Sequence, residues 1–452
     1  MEILFLGATK TVTGSKYLLT FGAQKILLDC GLFQGFKGLR LRNWDDLPVR
    51  PHDVESVILS HAHIDHSGYI PLLIQNGFRG PIYSTSGTKD LCAILLPDSG
   101  HLQEEEANFA NRHNYSKHHP ALPLYTREEA EDALKHFQTK PYDISFSPIP
   151  DLNVKFLKAG HIIGASIVRM NYKGTSIVFT GDLGRPNDIV MRPPALVDET
   201  DYLVVESTYG NRLHEREDPR DLLAVVINRT VKRGGSIIIP SFAVGRAQNL
   251  LYYIMSLKQQ DKIPDIPVFL DSPMSINATD IFCNHLGEHR LSDQQCDLMG
   301  KGATYVRESE GSKKLDSHNL SRIIISASGM ATGGRILHHL KFFAPDPRNT
   351  ILFTGYQADG TRGDRMIQGE EEIRIFGEMV PLRAEVVSLS NTSAHADYEE
   401  ILGWLSHFKR PPKKTFITHG SEASAEALRD KIHEKFGWDC VVPNYLDKEI
   451  LK

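Results

Sequence analysis

Residues 59–68 read LSHAHIDHSG, so His61, His63, Asp65 and His66 fall within six residues, directly after the apolar run Val57-Ile58-Leu59. A short apolar run before polar residues reads as a buried strand. Side chains two apart on the extended turn behind it, as in H-x-H, converge on one ion. Asp65 and His66 stand at the start of a helix that Asn76-Gly77 would end. Four donors on one rigid corner divide between two ions. Hydrogen-bonding loop histidines are the other reading, and three His with one Asp at this spacing argue against it.

Two ions need more donors than this corner supplies. The sequence offers them at strand ends beside glycine: His161 in KAGHIIG, Asp182 in FTGDLG and His419 in ITHGS. Glycine lets the backbone turn sharply there, so that the donor faces a cleft rather than the core.

A length of 452 residues exceeds one ordinary hydrophobic core and predicts two domains. With 41% hydrophobic and 24% charged residues and a net charge of -5, the composition is that of a soluble globular protein. Bulk charge does not draw such a chain to a polyanion, so any affinity for nucleic acid must come from local groups. Cys30, Cys92, Cys283, Cys296 and Cys440 are scattered without a C-x-x-C pair, which suggests neither a disulfide framework nor a cysteine zinc site and fits a reducing compartment. MEILFLGATK lacks a basic start before a long apolar stretch, and no run of about 18 apolar residues occurs, so a cytoplasmic protein without membrane association is expected.

From Met1 to about Ser207, short β-rich runs broken by glycine predict a mainly antiparallel sheet, with a hairpin at Lys173-Gly174. Helical spacing interrupts them in GTKDLCAILLPDSGHLQEEEANFANR and in TREEAEDALKHF, where Thr126 and Glu129 form a capping box. HNYSKHHPALPLY between them reads as a solvated loop, its His113, His118 and His119 included. From about 230 to 365 the pattern becomes repeated strand-loop-helix units, each opening on a continuous apolar run such as GSIIIP or RIIIS, as in a parallel sheet buried on both faces. After about Glu385 the β pattern returns with further metal-type histidines. A doubly wound α/β domain, 208–384, is therefore expected to be inserted into a first domain made of 1–207 and 385–452. KRPPKK, Lys409 to Lys414, reads as a solvated basic loop.

HAHIDH with these later positions resembles the metallo-β-lactamase fold. VVESTYGN around Glu206, SAHAD around His395 and THG around His419 resemble the β-CASP nucleases within it, a group that includes the pre-mRNA 3′-end endonuclease, RNase J and short bacterial and archaeal relatives. The resemblance covers essentially the whole chain. It implies an αββα sandwich carrying an inserted β-CASP domain, and a zinc-dependent phosphodiesterase. One zinc would be held by His61, His63, His161 and Asp182 and the other by Asp65, His66, Asp182 and His419, with manganese as the alternative metal. Asp29, closing KILLD, would orient a ligand histidine. The implied reaction is hydrolysis of single-stranded RNA, endonucleolytic or 5′-exonucleolytic, by a two-zinc-activated hydroxide held by Asp65. His395, paired with Glu206, would protonate the leaving 3′-oxygen, so products carry 5′-phosphate and 3′-hydroxyl.

In the insert, SFAVGR and SASGMATGGR lead into helices whose free N–H groups suit phosphate, and Arg246, Ser328, Gly329 and Arg335 are the candidate contacts. If that edge faces the metal site, a single strand threads the cleft between the domains. Tyr209 and Phe242 are candidates for stacking, although core burial is the commoner fate of such aromatics. His419 favours RNA, because DNA-repair members of the group carry Val at this motif. A glyoxalase- or lactonase-type hydrolase and a DNA-directed nuclease are the alternatives. No KH-type module precedes the fold and no RNase J-type domain follows it, so a compact bacterial-type enzyme is expected. Homodimerisation and RNA-processing partner proteins stay open.

Overall fold

The apolar run before the histidines is the strand Ser56–Ile58, and all three of its residues are buried. It lies in a seven-stranded sheet ordered Lys448–Ile450, Glu2–Phe5, Tyr17–Phe21, Gln24–Leu28, Ser56–Ile58, Ile82–Ser84, Phe137–Thr139. This computed structural model describes every residue except Tyr115, His318, Asn319, Tyr356, Ala358 and Asp359. The chain divides into two units, Met1–Leu213 with His395–Lys452, and His214–Ala394.

The first unit holds a second sheet of six strands, ordered Cys440–Val441, Lys414–Thr418, Tyr202–Glu206, Thr175–Phe179, Ser166–Tyr172, Leu152–Lys158. Alternating side chains of the two sheets meet in one apolar core, among them Phe5, Tyr17, Leu19, Phe156, Phe179 and Phe416. The expected antiparallel pairing holds for only part of each sheet. Gln24–Leu28, Ser56–Ile58, Ile82–Ser84 and Phe137–Thr139 run parallel, as do the strands from Thr175–Phe179 through Tyr202–Glu206 and Lys414–Thr418 to Cys440–Val441. The cause is connection length. Parallel neighbours need long crossovers, and Ile70–Gln75 and the 28-residue helix Ser86–His113 supply them. The hairpin forms at Lys173-Gly174, with φ of +50° and +89° at its two residues, as a type I′ turn requires. The capping box at Thr126 and Glu129 is also present. No helix among the described residues is long and apolar enough to cross a membrane.

The second unit is a six-stranded parallel sheet ordered Thr304–Tyr305, Val268–Asp271, Ile323–Ser326, Ile237–Pro240, Thr350–Phe353, Glu385–Ser388. The chain winds to one side of Ile237–Pro240 and then to the other, with helices between the strands. The triple-isoleucine runs Ile237 to Ile239 and Ile323 to Ile325 have no exposed surface, the burial on both faces that such runs predict. The borders fall at 213/214 and 394/395 rather than at 207/208 and 384/385. Glu385–Ser388, expected to return to the first domain, pairs instead with Thr350–Phe353. Tyr209 stays with the first unit through a bridge to Asp397.

One buried charge organises the second unit. Asp271, closing the strand Val268–Asp271, accepts hydrogen bonds from Arg335 Nη1 at 2.7 Å, His339 Nε2 at 2.7 Å and Ser312 Oγ at 2.5 Å. His339 Nδ1 donates to Asp316 at 2.7 Å. Arg335 also donates to the carbonyls of Val306 and Arg307. Its guanidinium is thus turned onto the protein as counter-cation to Asp271, which corrects the expectation that it reaches out to a phosphate.

Burial opposes charge on both central partners, and the hydrogen bonds win on both. Asp271 lies below the usual carboxylate range because His339, Ser312 and Arg335 outweigh burial. His339 lies above the usual imidazole range because Asp271 and Asp316 outweigh it. The His339 contribution to stability is complete below the unfolded value of ~6.5 and is lost as pH rises through the folded value; the Asp271 contribution is complete above ~3.9 and is lost as pH falls through its folded value. In urea unfolding, Asp271→Asn is expected to cost about 3 kcal/mol or more, and His339→Gln is expected to flatten the decline of stability above pH ~6.5. An unchanged urea midpoint in Asp271→Asn would remove the network from the account.

Candidate metal centre

Every predicted donor sits where a strand of the first unit ends. His61 and His63 lie on the extended turn after Ser56–Ile58, and His63 is the N-cap of the short helix Ile64–Ser67 that carries Asp65 and His66. The corner is held by its backbone. Ser15 N–H donates to Asp65 O at 2.8 Å, Cys30 N–H to His66 O at 2.7 Å and Leu32 N–H to Ile64 O at 3.0 Å. This contact is so close that a Cβ on Gly31 would fall 1.6 Å from Asp65 O, so only glycine fits there. His161 follows Leu152–Lys158, Asp182 follows Thr175–Phe179 and His419 follows Lys414–Thr418. Gly181 takes φ +54° just before Asp182. Asp29 and His419 adopt φ of +55° and +49°, a region that non-glycine residues occupy chiefly where surrounding structure imposes it, often at functional sites.

The side chains converge in two groups that share Asp182. In the first, His61 Nε2 lies 3.1 Å from His63 Nδ1, which lies 3.2 Å from His161 Nε2. Asp182 Oδ2 is 3.3 Å from His61 Nε2 and 3.5 Å from His161 Nε2. In the second, His66 Nε2 lies 3.0 Å from His419 Nε2, and Asp65 Oδ2 is 3.7 and 3.3 Å from those two atoms. Asp182 Oδ1 completes it at 3.2 Å from His66 Nε2.

These spacings fit divalent ions. Four donors about 2.0–2.1 Å from a tetrahedral ion stand roughly 3.3–3.4 Å apart, close to the separations within both groups. Imidazole nitrogens facing one another at 3.0–3.2 Å need either a proton or a shared cation between their lone pairs, and a divalent ion meets that need in both groups. The buried Asp182 Oδ1 accepts no hydrogen bond among the described residues, an acceptor left for an ion.

The opposite ring nitrogens are fixed from behind. Asp29 Oδ2 lies 2.6 Å from His66 Nδ1, and Asp29 also accepts from Ser60 N–H at 2.7 Å and Ser60 Oγ at 2.8 Å. Thr208 Oγ1 lies 3.1 Å from His419 Nδ1, and Ser60 Oγ 3.1 Å from His61 Nδ1. Such outer partners set which ring nitrogen faces the centre. Sequence reasoning missed Ser60 and Thr208. A hydroxyl residue directly before His61, and another two residues after Glu206, were the only signals available.

Electrostatics prepares the donors. Burial, reinforced by neighbouring imidazoles, holds His61, His63 and His161 below the usual histidine range, His63 at about 3, so all three are neutral and open to a cation. Burial opposes ionisation of Asp182, yet charge from His419 and His66 keeps its carboxyl well below the usual range. Asp65 is likewise kept low, against burial, by His66 and His419. His66 is pushed well up, again against burial, by Asp182, Asp65 and Asp29.

Beside this cluster His395 Nδ1 lies 3.1 Å from both Glu206 carboxylate oxygens. Burial would lower the His395 pKa, but Glu206 and then Asp182 outweigh it and raise it to about 9. Glu206 is itself positioned by Leu183 N–H at 2.5 Å and Thr208 N–H at 3.3 Å. A backbone bridge from Gly184 to His395 holds the imidazole next to Asp182, 4.0 Å away.

The remaining phosphate candidates belong to the second unit. Arg246 is buried at the start of the helix Arg246–Gln259 beside Gly355. Ser328 Oγ accepts from the N–H groups of Thr332 and Gly333, and Gly329 packs against Phe242, which is 38% exposed. Tyr209, in the first unit, is buried with its ring 6.3 Å from that of His395. His113, His118 and His119 join no group of converging donors among the described residues.

Comparison with known proteins places this geometry. A metallo-beta-lactamase superfamily domain model matches residues 18–207, a Beta-Casp domain model 247–366, and a model of a Zn-dependent metallo-hydrolase RNA specificity domain 379–443. Ribonuclease TTHA0252 of Thermus thermophilus is 36% identical over 95% of both chains. Transcription termination factor FttA of Methanosarcina mazei is 31% identical over 96% of this chain and 69% of its own length, and an RNase J-like protein of Methanocaldococcus jannaschii 30% over 88% and 87%. A crystal structure of a protein of unknown function from Enterococcus faecalis V583 aligns over 100% of this chain and 99% of its own with a TM-score of 0.56 at 15% identity, a likeness of fold alone. A fold of this class implies binding of divalent metal, and the paired His/Asp groups are the place for it. With the domain models in order along the sequence and a relative matched nearly end to end, the chain belongs to the β-CASP family of metallo-β-lactamase-fold nucleases.

Proposed function

We propose that the protein is a metal-dependent ribonuclease that hydrolyses phosphodiester bonds of single-stranded RNA. The observation that carries this reading is Asp182, which offers one carboxylate oxygen to each of two donor groups. His61, His63, His161 and Asp182 would hold one ion, and Asp65, His66, Asp182 and His419 the other. The imidazole and carboxylate donors suit zinc, with manganese as the alternative. Two such ions supply a water of lowered pKa and stabilise charge on phosphoryl oxygens. The RNA specificity model over 379–443 and the ribonuclease relative support RNA as the polymer.

The chain's own groups divide the remaining work. Asp65, the donor carboxylate with 18% side-chain exposure, orients the attacking water. That water, its proton already given up to solvent, bonds through its oxygen to phosphorus as the bond from phosphorus to the 3′-oxygen breaks. His395, held protonated by Glu206, donates its proton to that leaving oxygen. Products then carry 5′-phosphate and 3′-hydroxyl.

The direct test is cleavage of single-stranded RNA, labelled internally and at either end, beside matching DNA, by wild type and Asp65→Ala at equal metal content. RNA-specific products with 5′-phosphate ends, lost in the variant, are expected, and their lengths report endonucleolytic or exonucleolytic action. A fully metallated wild type that leaves RNA intact would refute the proposal.

Three further outcomes follow from the local geometry. Asp29→Asn keeps a polar group of the same shape but loses the charge behind His66, so metal affinity is expected to fall roughly 10–100-fold in chelator competition; equal affinity would show that Asp29 serves folding alone. His395→Ala is expected to retain its metal while turnover drops about 10²–10⁴-fold. Because Glu206 raises the His395 pKa, Glu206→Gln is expected to move the alkaline limb of the rate profile to lower pH. A limb that stays in place would take the proton donor role away from this pair.

A further inference from the structure

The segment after Leu32, FQGFKGLRLRNW, places three large apolar side chains in solvent along one short stretch. Phe36, Leu41 and Trp44 are 64%, 53% and 58% exposed, while Trp404 and Trp438 are buried. The five-residue helix Lys37–Leu41 buries none of its residues. Its base is nevertheless firmly held. Asn43 Nδ2 donates to Phe33 O at 2.8 Å and Phe33 N–H to Asn43 Oδ1 at 2.9 Å, and both residues are buried. The Lys16 ammonium lies 4.5 Å from the centre of the Phe33 ring, and the Arg42 guanidinium 4.4 Å from that of Tyr445.

Charge singles out the same stretch. Between Phe33 and Trp44 stand Lys37, Arg40 and Arg42 and no acidic residue, with Asp45 and Asp46 following Trp44, in a chain of net charge -5. Among the described residues Lys37 and Arg40 make no ion pair, whereas Lys10 and Arg50 of the same unit do. Cations interleaved with exposed flat side chains suit a flexible polyanion that carries bases better than an apolar protein face. The stretch also continues directly from Asp29 to Leu32, whose N–H groups hold the backbone of His66 and Ile64.

We propose that residues 36–44 form a guiding surface for single-stranded RNA, with Phe36 and Trp44 stacking on bases and Lys37 and Arg40 neutralising phosphates. The proposal rests on the ribonuclease reading for its choice of polymer. Binding of a 5′-fluorescein decauridylate, followed by anisotropy with the full-length Asp65→Asn protein so that the probe stays whole, tests it. Phe36→Ala and Trp44→Ala are each expected to weaken binding about fivefold or more, and Trp44→Phe to restore most of the loss. Lys37→Glu with Arg40→Glu is expected to weaken binding and to flatten the slope of log K against log salt by roughly 1.4. Unchanged dissociation constants in both aromatic variants would overturn the proposal, as would self-association of the protein, abolished by the same substitutions, in place of RNA binding. The two readings fail separately. A wild type that binds RNA through this segment but never cuts it loses the ribonuclease and keeps the surface; one that cuts RNA while the variants bind unchanged does the reverse.

Discussion

Asp182 is the point on which the first unit turns. Six imidazoles and two other carboxylates crowd around one buried carboxylate, its two oxygens facing different groups. Without cations such a cluster is an electrostatic liability, because ring nitrogens face one another and ionised carboxylates sit away from water. The surrounding architecture holds these groups in place all the same. Strand ends from both sheets deliver the donors, backbone bonds from Ser15, Cys30 and Leu32 fix the corner, and Asp29, Ser60 and Thr208 orient the rings. The arrangement is organised in advance for ions that neutralise it.

The second unit solves a similar problem by other means. Asp271, His339 and Asp316 are also a buried carboxylate-imidazole cluster, but there each ring nitrogen meets an oxygen at 2.7 Å and Arg335 supplies a permanent charge. That network is complete within the protein. The contrast separates a structural histidine from a ligand histidine: donors meeting acceptors describe the first, and nitrogens meeting nitrogens describe the second.

Much of the candidate site was legible because its signals are local. HAHIDH is six consecutive residues, and His161, Asp182 and His419 each stand beside a glycine at the end of an apolar run. The parallel sheet of the second unit was legible for the same reason, since its triple-isoleucine strands have no polar face. What stayed hidden depends on distant partners. Arg335 belongs to Asp271, 64 residues away, and nothing near it in the chain shows that. Glu385–Ser388 reads as a strand but does not reveal which sheet it joins. The parallel half of the first sheet was missed because short strands look alike whether the chain returns by a turn or by a crossover. Ser60 and Thr208 look like any strand-end hydroxyl until the ring behind them is placed.

The pairing of His66 with His419 spans 353 residues of chain, and the strand Lys448–Ile450 near the C-terminus closes the sheet that begins with Glu2–Phe5. Chains are made from the N-terminus onward. The HAHIDH corner therefore leaves the ribosome long before its last partner exists, and the Asp65, His66 and His419 group stays open until the 353 residues that separate His66 from His419 have been made.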